Sequence, residues 1–385
     1  MPYYRPLKKQ SASDRNRTVE GLQRLRQQFK DERFPVKKSS STLILGTWNI
    51  RNFDDDRFNY GPRLKESLYY IAEIISRFDV IAVQEICVDL WPLKKLMNIL
   101  GDNYDYIVTD VTHSSVGGNQ ERLGFIYDKN KVRFKGVAGE IVLPEKLMIS
   151  KAAGNKRQFS RTPFGVEFQS GWFNFYFSTV HIFFGSNQGN TPLYKRRVEE
   201  IKAIAKYLSK EAKNSDSNHI LVGDFNIKER GSDGFNALEE NGFKTVKNHY
   251  GSNRDQTKFY DQISFRSKKN ELTFIEPNRD DRVFQYFKSV FREEDFLVYK
   301  PIMKKMIAKK LKDAQEAFET SKSKSQKKKF KGQIESLNEV IKTEDSLKEY
   351  YLEWRTFQAS DHLPLWVEIK IDFSDQYLEY LKSLD

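Results

Sequence analysis

An α/β fold is what this 385-residue sequence predicts, and three observations carry the prediction. Apolar runs of strand length recur along the chain, at residues 43–45, 80–83 and 220–222. Between the first two lies a segment with Leu64, Leu68, Ile71, Ile75 and Phe78 at helical spacing. The unit reads strand, helix, strand, so those two strands are expected to be parallel. The 29 Phe and 19 Tyr supply side chain enough for a large core, and length alone permits one to three domains.

Taken in order, residues 1–41 are a basic N-terminal extension. Within it, residues 18–29 have the spacing of a short amphipathic helix, with Val19, Leu22, Leu25 and Phe29 on one side, and Ser39-Ser40-Ser41 reads as a linker. Residues 42–385 form the main domain. A strand ends at the amide of Asn49, Pro62 opens the first packed helix, and a second buried strand ends at Glu85. A helix covers residues 91–100, and residues 111–121 are a polar loop with Gly117-Gly118 as hinge. Strands at 122–127 and 131–134 meet at a turn over 128–130, and 165–169 with 172–180 form a hairpin that runs into His181. Residues 192–208 form a helix with Val198, Ile201, Ala205 and Leu208 inward. A strand follows at 220–222, then one at 259–265 that contains Asp261. Residues 296–352 break the rhythm, with Gly332 their one glycine and no proline after Pro301. They read as two long helices joined near 321–329, a protruding hairpin inserted before a last strand at 363–371.

The net charge of +12 favours polyanionic partners in general. Its location is uneven: residues 1–40 carry +7, residues 300–350 carry +6, and the rest is close to neutral. There is one cysteine, Cys87, so no intrachain disulfide can form. With no apolar leader and no run of membrane-spanning length, a soluble cytoplasmic protein without a membrane partner is expected.

One pattern recurs at the strand boundaries. A polar group able to bind metal or move protons stands at or near a strand end at Asn49, Glu85, His181, Asp224 with Asn226, and Asp261, and Asp361 with His362 precede a strand. In Ile-Leu-Val-Gly-Asp-Phe-Asn-Ile, residues 220–227, Gly223 permits a sharp turn, and a spacing of two puts Asp224 and Asn226 on one face of an extended segment. The same stretch would equally serve as a strand running into an Asx turn. Carboxylates and amides without cysteine favour a hard cation, Mg²⁺ or Mn²⁺. Two histidines beside acids suit general acid and base work near neutral pH, and the combination is a toolkit for phosphoester hydrolysis.

The series Thr47-Trp48-Asn49, Gln84-Glu85, Glu121-Arg122, His181, Gly223-Asp224-Phe225-Asn226, Tyr260-Asp261-Gln262-Ile263 and Ser360-Asp361-His362-Leu363-Pro364 resembles the endonuclease/exonuclease/phosphatase superfamily, and within it the DNase I-like branch. The resemblance runs from about residue 42 to 372, interrupted by the helical insertion at 296–352. It implies a four-layer α/β sandwich, with two mixed β-sheets face to face and helices outside. It also implies roles. Glu85 resembles the principal metal ligand, with Asn49 and Asp361 completing the site. Asp224 and Asn226 resemble the pair that positions water and phosphate, and His181 and His362 the imidazoles that flank the scissile phosphate. Glu121 resembles the acid orienting His181, Asp261 the partner of His362, and Arg161 a phosphate-contacting arginine. Members of the familiar type are secreted and disulfide-bonded, and this chain shows neither feature. The leading expectation is a Mg²⁺- or Mn²⁺-dependent endonuclease with DNA as partner. A phosphoesterase acting on inositol phosphates or phospholipid head groups, and a non-catalytic binding protein, are the alternatives.

Overall fold

The computed structural model describes residues 2–37, 40–53, 56, 58–111, 120–149, 158–268 and 271–383. The Gly117-Gly118 hinge and Ser39 of the expected linker lie outside them. Two mixed sheets pack face to face. The first contains β1 (Thr42–Phe53), β2 (Val80–Ile86), β3 (Tyr104–Val108), β4 (Arg122–Asp128) and β11 (Leu365–Lys370), in the order β11-β1-β2-β4-β3. The second contains β5 (Arg133–Glu140), β6 (Phe164–Ser170), β7 (Phe173–His181), β8 (Asn218–Asp224), β9 (Lys244–Thr245) and β10 (Asp261–Arg266), in the order β5-β6-β7-β8-β10-β9. Each sheet holds one parallel pair, β1 with β2 and β7 with β8. In both pairs the connection holds a helix, α2 (Lys65–Ile75) and α4 (Pro192–Glu211) respectively, and no further strand among the described residues. Helices α1 (Ala12–Asp31), α2 and α3 (Trp91–Leu100) cover the first sheet, and α4 with α5 (Asp233–Glu240) cover the second, giving an α/β sandwich.

The two-residue period of the strands sorts the cores. Ile220 and Val222 of β8, Phe175 and Phe177 of β7, and Ile263 and Phe265 of β10 all point between the sheets. The alternate residues Leu221 and Val180 join Ile201, Ile204 and Leu208 under α4. Across the gap, Phe125 of β4 meets Phe164, Phe168 and Phe177 with ring centroids 5.7, 5.9 and 5.0 Å apart. Deep in the same layer the Gln84 amide donates to Thr47 Oγ1 of its own sheet at 3.1 Å and to Thr179 Oγ1 of the other at 2.8 Å. This buried polar bridge fixes how the sheets sit on each other.

Several elements depart from expectation. Pro62 precedes the helix it was expected to open: Leu64 stays extended at φ −68°, ψ 153° and the helix begins at Lys65. The strands around residue 130 do not pair with each other. β4 pairs with β2 and β3, β5 pairs with β6, and the turn carries the chain from one sheet to the other. β5 is exposed along its whole length, so it lacks the alternation that marks a half-buried strand. The insertion contains three helices rather than two, α6 (Phe296–Thr320), α7 (Lys324–Lys342) and α8 (Glu344–Gln358), because a capping box of Thr343 and Ser346 starts a new helix at residue 344. A last helix, α9 (Ser374–Lys382), had no counterpart in the sequence reading. No helix among the described residues is long and apolar enough to cross a membrane.

The N-terminal segment is built into the body. Helix α1 buries Leu22, Leu25 and Phe29, whereas Val19, expected beside them, faces out. Several basic residues of the N-terminal segment are engaged by that packing. Arg17 Nε donates to Glu66 of α2 at 2.7 Å, Arg26 Nε to Glu73 at 3.0 Å, and Lys37 Nζ to Asp128 at 2.7 Å. Glu66 is 2% exposed and also accepts from the Tyr299 hydroxyl of α6 at 2.8 Å, so α1, α2 and the insertion share one buried carboxylate.

Two predictions follow from this packing. Arg17→Ala should lower unfolding free energy by about 3 kcal/mol in chemical denaturation, since it strands a buried carboxylate. His219 of β8 is buried, and that burial pushes its imidazole down to about 4 from 6.5. The folded chain therefore resists protonation of this ring. Stability should be complete above pH 6.5 and fall by ~3 kcal/mol towards pH 4, and His219→Phe should remove that part of the decline.

Candidate active site

Three candidate residues lie on one rung of the second sheet. His181 of β7 and Asp261 of β10 are both register partners of Asp224 in β8. All three continue the inward rows of their strands, at the point where the apolar core gives way to the rim. On the first sheet, Asn49 of β1 pairs in register with Gln84 of β2, placing its amide on the inner side as well.

Glu85 reaches the same rim by a different route. Period-two alternation after Gln84 would turn it away from the core. Its φ of 61° and a register break between Val83 and Ile86 rotate it back. Its Oε1 then accepts from Asn49 Nδ2 at 3.0 Å, and its Oε2 from the Asn52 amide at 2.8 Å.

Asp224 is the hub. Its Oδ2 accepts from Asn49 Nδ2 at 3.2 Å and lies 3.5 Å from His181 Nε2 and 3.7 Å from His362 Nε2. Each imidazole is fixed from behind: His181 Nδ1 is 2.9 Å from Glu121 Oε1, and His362 Nδ1 is 2.7 Å from Asp261 Oδ2. Burial acts against charging both rings, joined at His181 by the Arg161 charge, and the surrounding carboxylates outweigh it. His362 is driven well above the usual imidazole range by Asp261 and Asp224, and His181 is raised by Glu121 and Asp224. Burial would likewise raise Glu121, but His181 and Arg161 overcome it and lower its carboxyl to about 2.

The turn that carries His362 is clamped by backbone contacts. Trp48 Nε1 donates to the His362 carbonyl at 2.9 Å, the Ser360 hydroxyl to the Asn49 carbonyl at 2.7 Å, and the Tyr286 hydroxyl to the Ser360 carbonyl at 2.5 Å. Ser252 Oγ accepts from the Asp261 amide at 2.9 Å. Ser252 and Tyr286 had no signal in the sequence, since each acts through one hydroxyl outside the motifs.

Three expected residues are placed differently. Asn226 does not share a face with Asp224. Its φ is 53°, its amide N–H bonds Asp224 Oδ1 at 2.8 Å as in an Asx turn, and its side chain donates to the Ile182 carbonyl at 2.9 Å. Arg161 is buried, with its Nε against Glu121, so its visible contact is an ion pair within the site. The Asp361 carboxylate is 41% exposed and faces Arg51 Nε at 3.8 Å.

The donor set suits a divalent cation. Glu85, Glu121 and His181 each offer a ligand atom, all within 4.8 Å of one another. Asn49 Oδ1 is buried without a hydrogen-bond partner among the described residues, next to Glu85. Glu121 Oε1 is already engaged by His181 and Arg161. Glu85 with the Asn49 oxygen is therefore the better pair for a hard cation.

A family model described as "Endonuclease/Exonuclease/phosphatase family" matches residues 46–284. No curated protein matches the chain. Among solved structures, an endonuclease/exonuclease/phosphatase family protein from Bacteroides thetaiotaomicron is 16% identical, covering 86% of this chain and 99% of its own at a TM-score of 0.48. A mannosyl-6-phosphatase from Bacteroides thetaiotaomicron VPI-5482 is 20% identical over 58% of this chain and 85% of its own, with a TM-score of 0.43. The catalytic domain of human nocturnin is 12% identical over 61% and 84%, also at 0.43.

The backbone before Asp224 sets up a prediction. Gly223 has φ 124°, and a Cβ there would stand 2.1 Å from the Val180 carbonyl oxygen of the neighbouring strand. Gly223→Ala should cost at least ~2 kcal/mol of stability in denaturant titration.

Proposed function

We propose, on the premise that this chain belongs to the endonuclease/exonuclease/phosphatase family and is a phosphoesterase of that kind, that it hydrolyses DNA phosphodiester bonds as a divalent-metal-dependent endonuclease. The observation that carries this reading is the pair of imidazoles, each held at Nδ1 by its own carboxylate and each turning Nε2 towards Asp224. With Nδ1 engaged, Nε2 is the atom free to exchange a proton with a reacting oxygen.

In this reading Asp224, braced by the Asn226 amide, positions the attacking water beside the imidazoles. One imidazole takes the water's proton as it attacks phosphorus in line, and the other returns a proton to the departing ester oxygen. Glu121 and Asp261 keep the rings oriented, and Arg161 balances the charge of Glu121. Glu85 and Asn49 would hold Mg²⁺ or Mn²⁺, with Asp361 supporting from the open edge through Arg51. When bound, such an ion supplies positive charge that offsets the negative charge building on the phosphoryl oxygens.

DNA is favoured by the lysine-rich hairpin of α6 and α7. Lys304, Lys305, Lys309 and Lys312 are exposed along α6, and Lys310 anchors that helix to Asp56 at 2.9 Å and Asn59 at 3.0 Å, in the loop that leaves β1. The engaged arginines of α1 support the alternative, a smaller phosphoester such as an inositol phosphate, because they take part of one of the two basic segments out of the count of phosphate contacts.

The test is cleavage of supercoiled plasmid with Mg²⁺, Mn²⁺ or chelator, run beside a panel of phosphorylated small molecules. Chelator should abolish cleavage and added cation restore it. Glu85→Ala, His181→Ala and His362→Ala should each slow it by about 10²–10⁴-fold while the circular dichroism spectrum stays unchanged. Full activity in any two of them would dismiss the assignment.

A further inference from the structure

We infer that a pocket beside the reaction centre, built around Arg197 and Lys228, binds a second phosphate of the substrate, so that the preferred substrate is a nucleotide strand with a phosphate next to the one that reacts. The inference rests on the phosphoesterase reading and goes beyond it by naming what lies alongside the scissile bond.

A cavity of about 190 Å³ opens next to Asn226, lined by Tyr194 and Arg197 of α4 and by Lys228 and Glu229 of the turn after β8. It adjoins the reaction centre through Asn226, whose backbone amide bonds Asp224 Oδ1 at 2.8 Å. Arg197 is 4% exposed. Its Nη1 donates to the Phe184 carbonyl at 2.9 Å, and its guanidinium lies 5.1 Å from the Tyr194 ring centroid and 6.0 Å from that of Phe184. No carboxylate of a described residue forms an ion pair with Arg197 or with the half-buried Lys228. The contrast with the rest of the molecule is informative. The buried Arg161, Arg196 and Arg355 each face a glutamate, and the buried Arg282 is met by the Arg279 and Glu276 carbonyls at 3.1 and 2.7 Å, whereas Arg197 bonds a single carbonyl among the described residues and lines a cavity.

A buried cation without a direct ion-pair partner is costly, and burial lowers the Arg197 guanidinium even though Asp224 of the reaction centre acts on it from beyond ion-pair distance. Here the missing anion has an obvious place to sit. The guanidinium presents planar donors to the cavity, which suit phosphate oxygens, and Lys228 adds a point charge. Glu229, exposed to solvent, is the one carboxylate among the lining residues, so cations outnumber it two to one. The aromatic rings of Phe184, 46% exposed, and Tyr194 flank the arginine and offer apolar faces to the sugar or base attached to such a phosphate. The sequence contained one hint: Arg197 lies four residues before Ile201, on the inward face of a helix where an aliphatic residue is expected.

The experiment compares three substrates under saturating Mg²⁺: a dinucleoside monophosphate, and the same molecule with an added 5′- or 3′-terminal phosphate. Wild-type protein should show a KM roughly tenfold lower for one of the phosphorylated forms than for the plain one. In Lys228→Glu, and independently in Arg197→Met, that KM ratio should collapse to about one. Lys228 is half-buried, so its variant keeps the test open if the Arg197 variant does not fold. Equal KM values for all three substrates in the wild type, or a preference that survives both substitutions, would overturn the inference and leave the phosphoesterase reading standing. Failure of the wild type to cleave any of them would overturn both.

Discussion

One carboxylate oxygen is shared by both halves of the sandwich. Oδ2 of Asp224 accepts from the Asn49 amide of the opposite sheet at 3.2 Å and faces two imidazole nitrogens at 3.5 and 3.7 Å. Asp224 is 2% exposed, and a carboxylate taken so far out of water needs partners around it. Those partners come from β1, β7 and the turn before β11, so meeting its electrostatic demand fixes how the sheets align. The Gln84 bridge from Thr47 to Thr179 holds the same alignment one layer deeper. Packing and site geometry are thus one constraint seen at two depths.

Charge in this protein has to be read by where it is used. Part of the basic excess of the N-terminal segment is neutralised inside the fold, by Glu66, Glu73 and Asp128. The lysines of α6 and α7 are different, since most stand exposed on a hairpin with little buried surface of its own. Arg197 is a third case, buried without an ion-pair partner among the described residues. Arginines that look alike in the sequence therefore serve as structural pins or as candidate anion receptors according to what faces them.

Much of the architecture was legible. The parallel β1–β2 unit, the β6–β7 hairpin and α3 follow from periodicity alone, and the strand-end pattern located His181, Asp224 and Asp261. Of the exposed strand β5 only the start, within residues 131–134, was legible, because no apolar face continues beyond it, and the break between α7 and α8 was missed because it rests on a two-residue cap. Asn226 was misplaced for a related reason: spacing of two implies a shared face only while the backbone stays extended, and its φ is positive.

The sequence by itself determined which groups could do the chemistry and that they stand at strand ends, because alternation ties each polar residue to the apolar row it terminates. Only the tertiary structure decided which of them meet. The rotation of Glu85 onto the inner side, the pairing of Arg161 with Glu121 and the placing of Arg197 against the cavity all depend on a positive φ or on contacts between residues distant in the chain. Neither leaves a periodic trace along it, since local pattern records which way a side chain faces and not what it finds there.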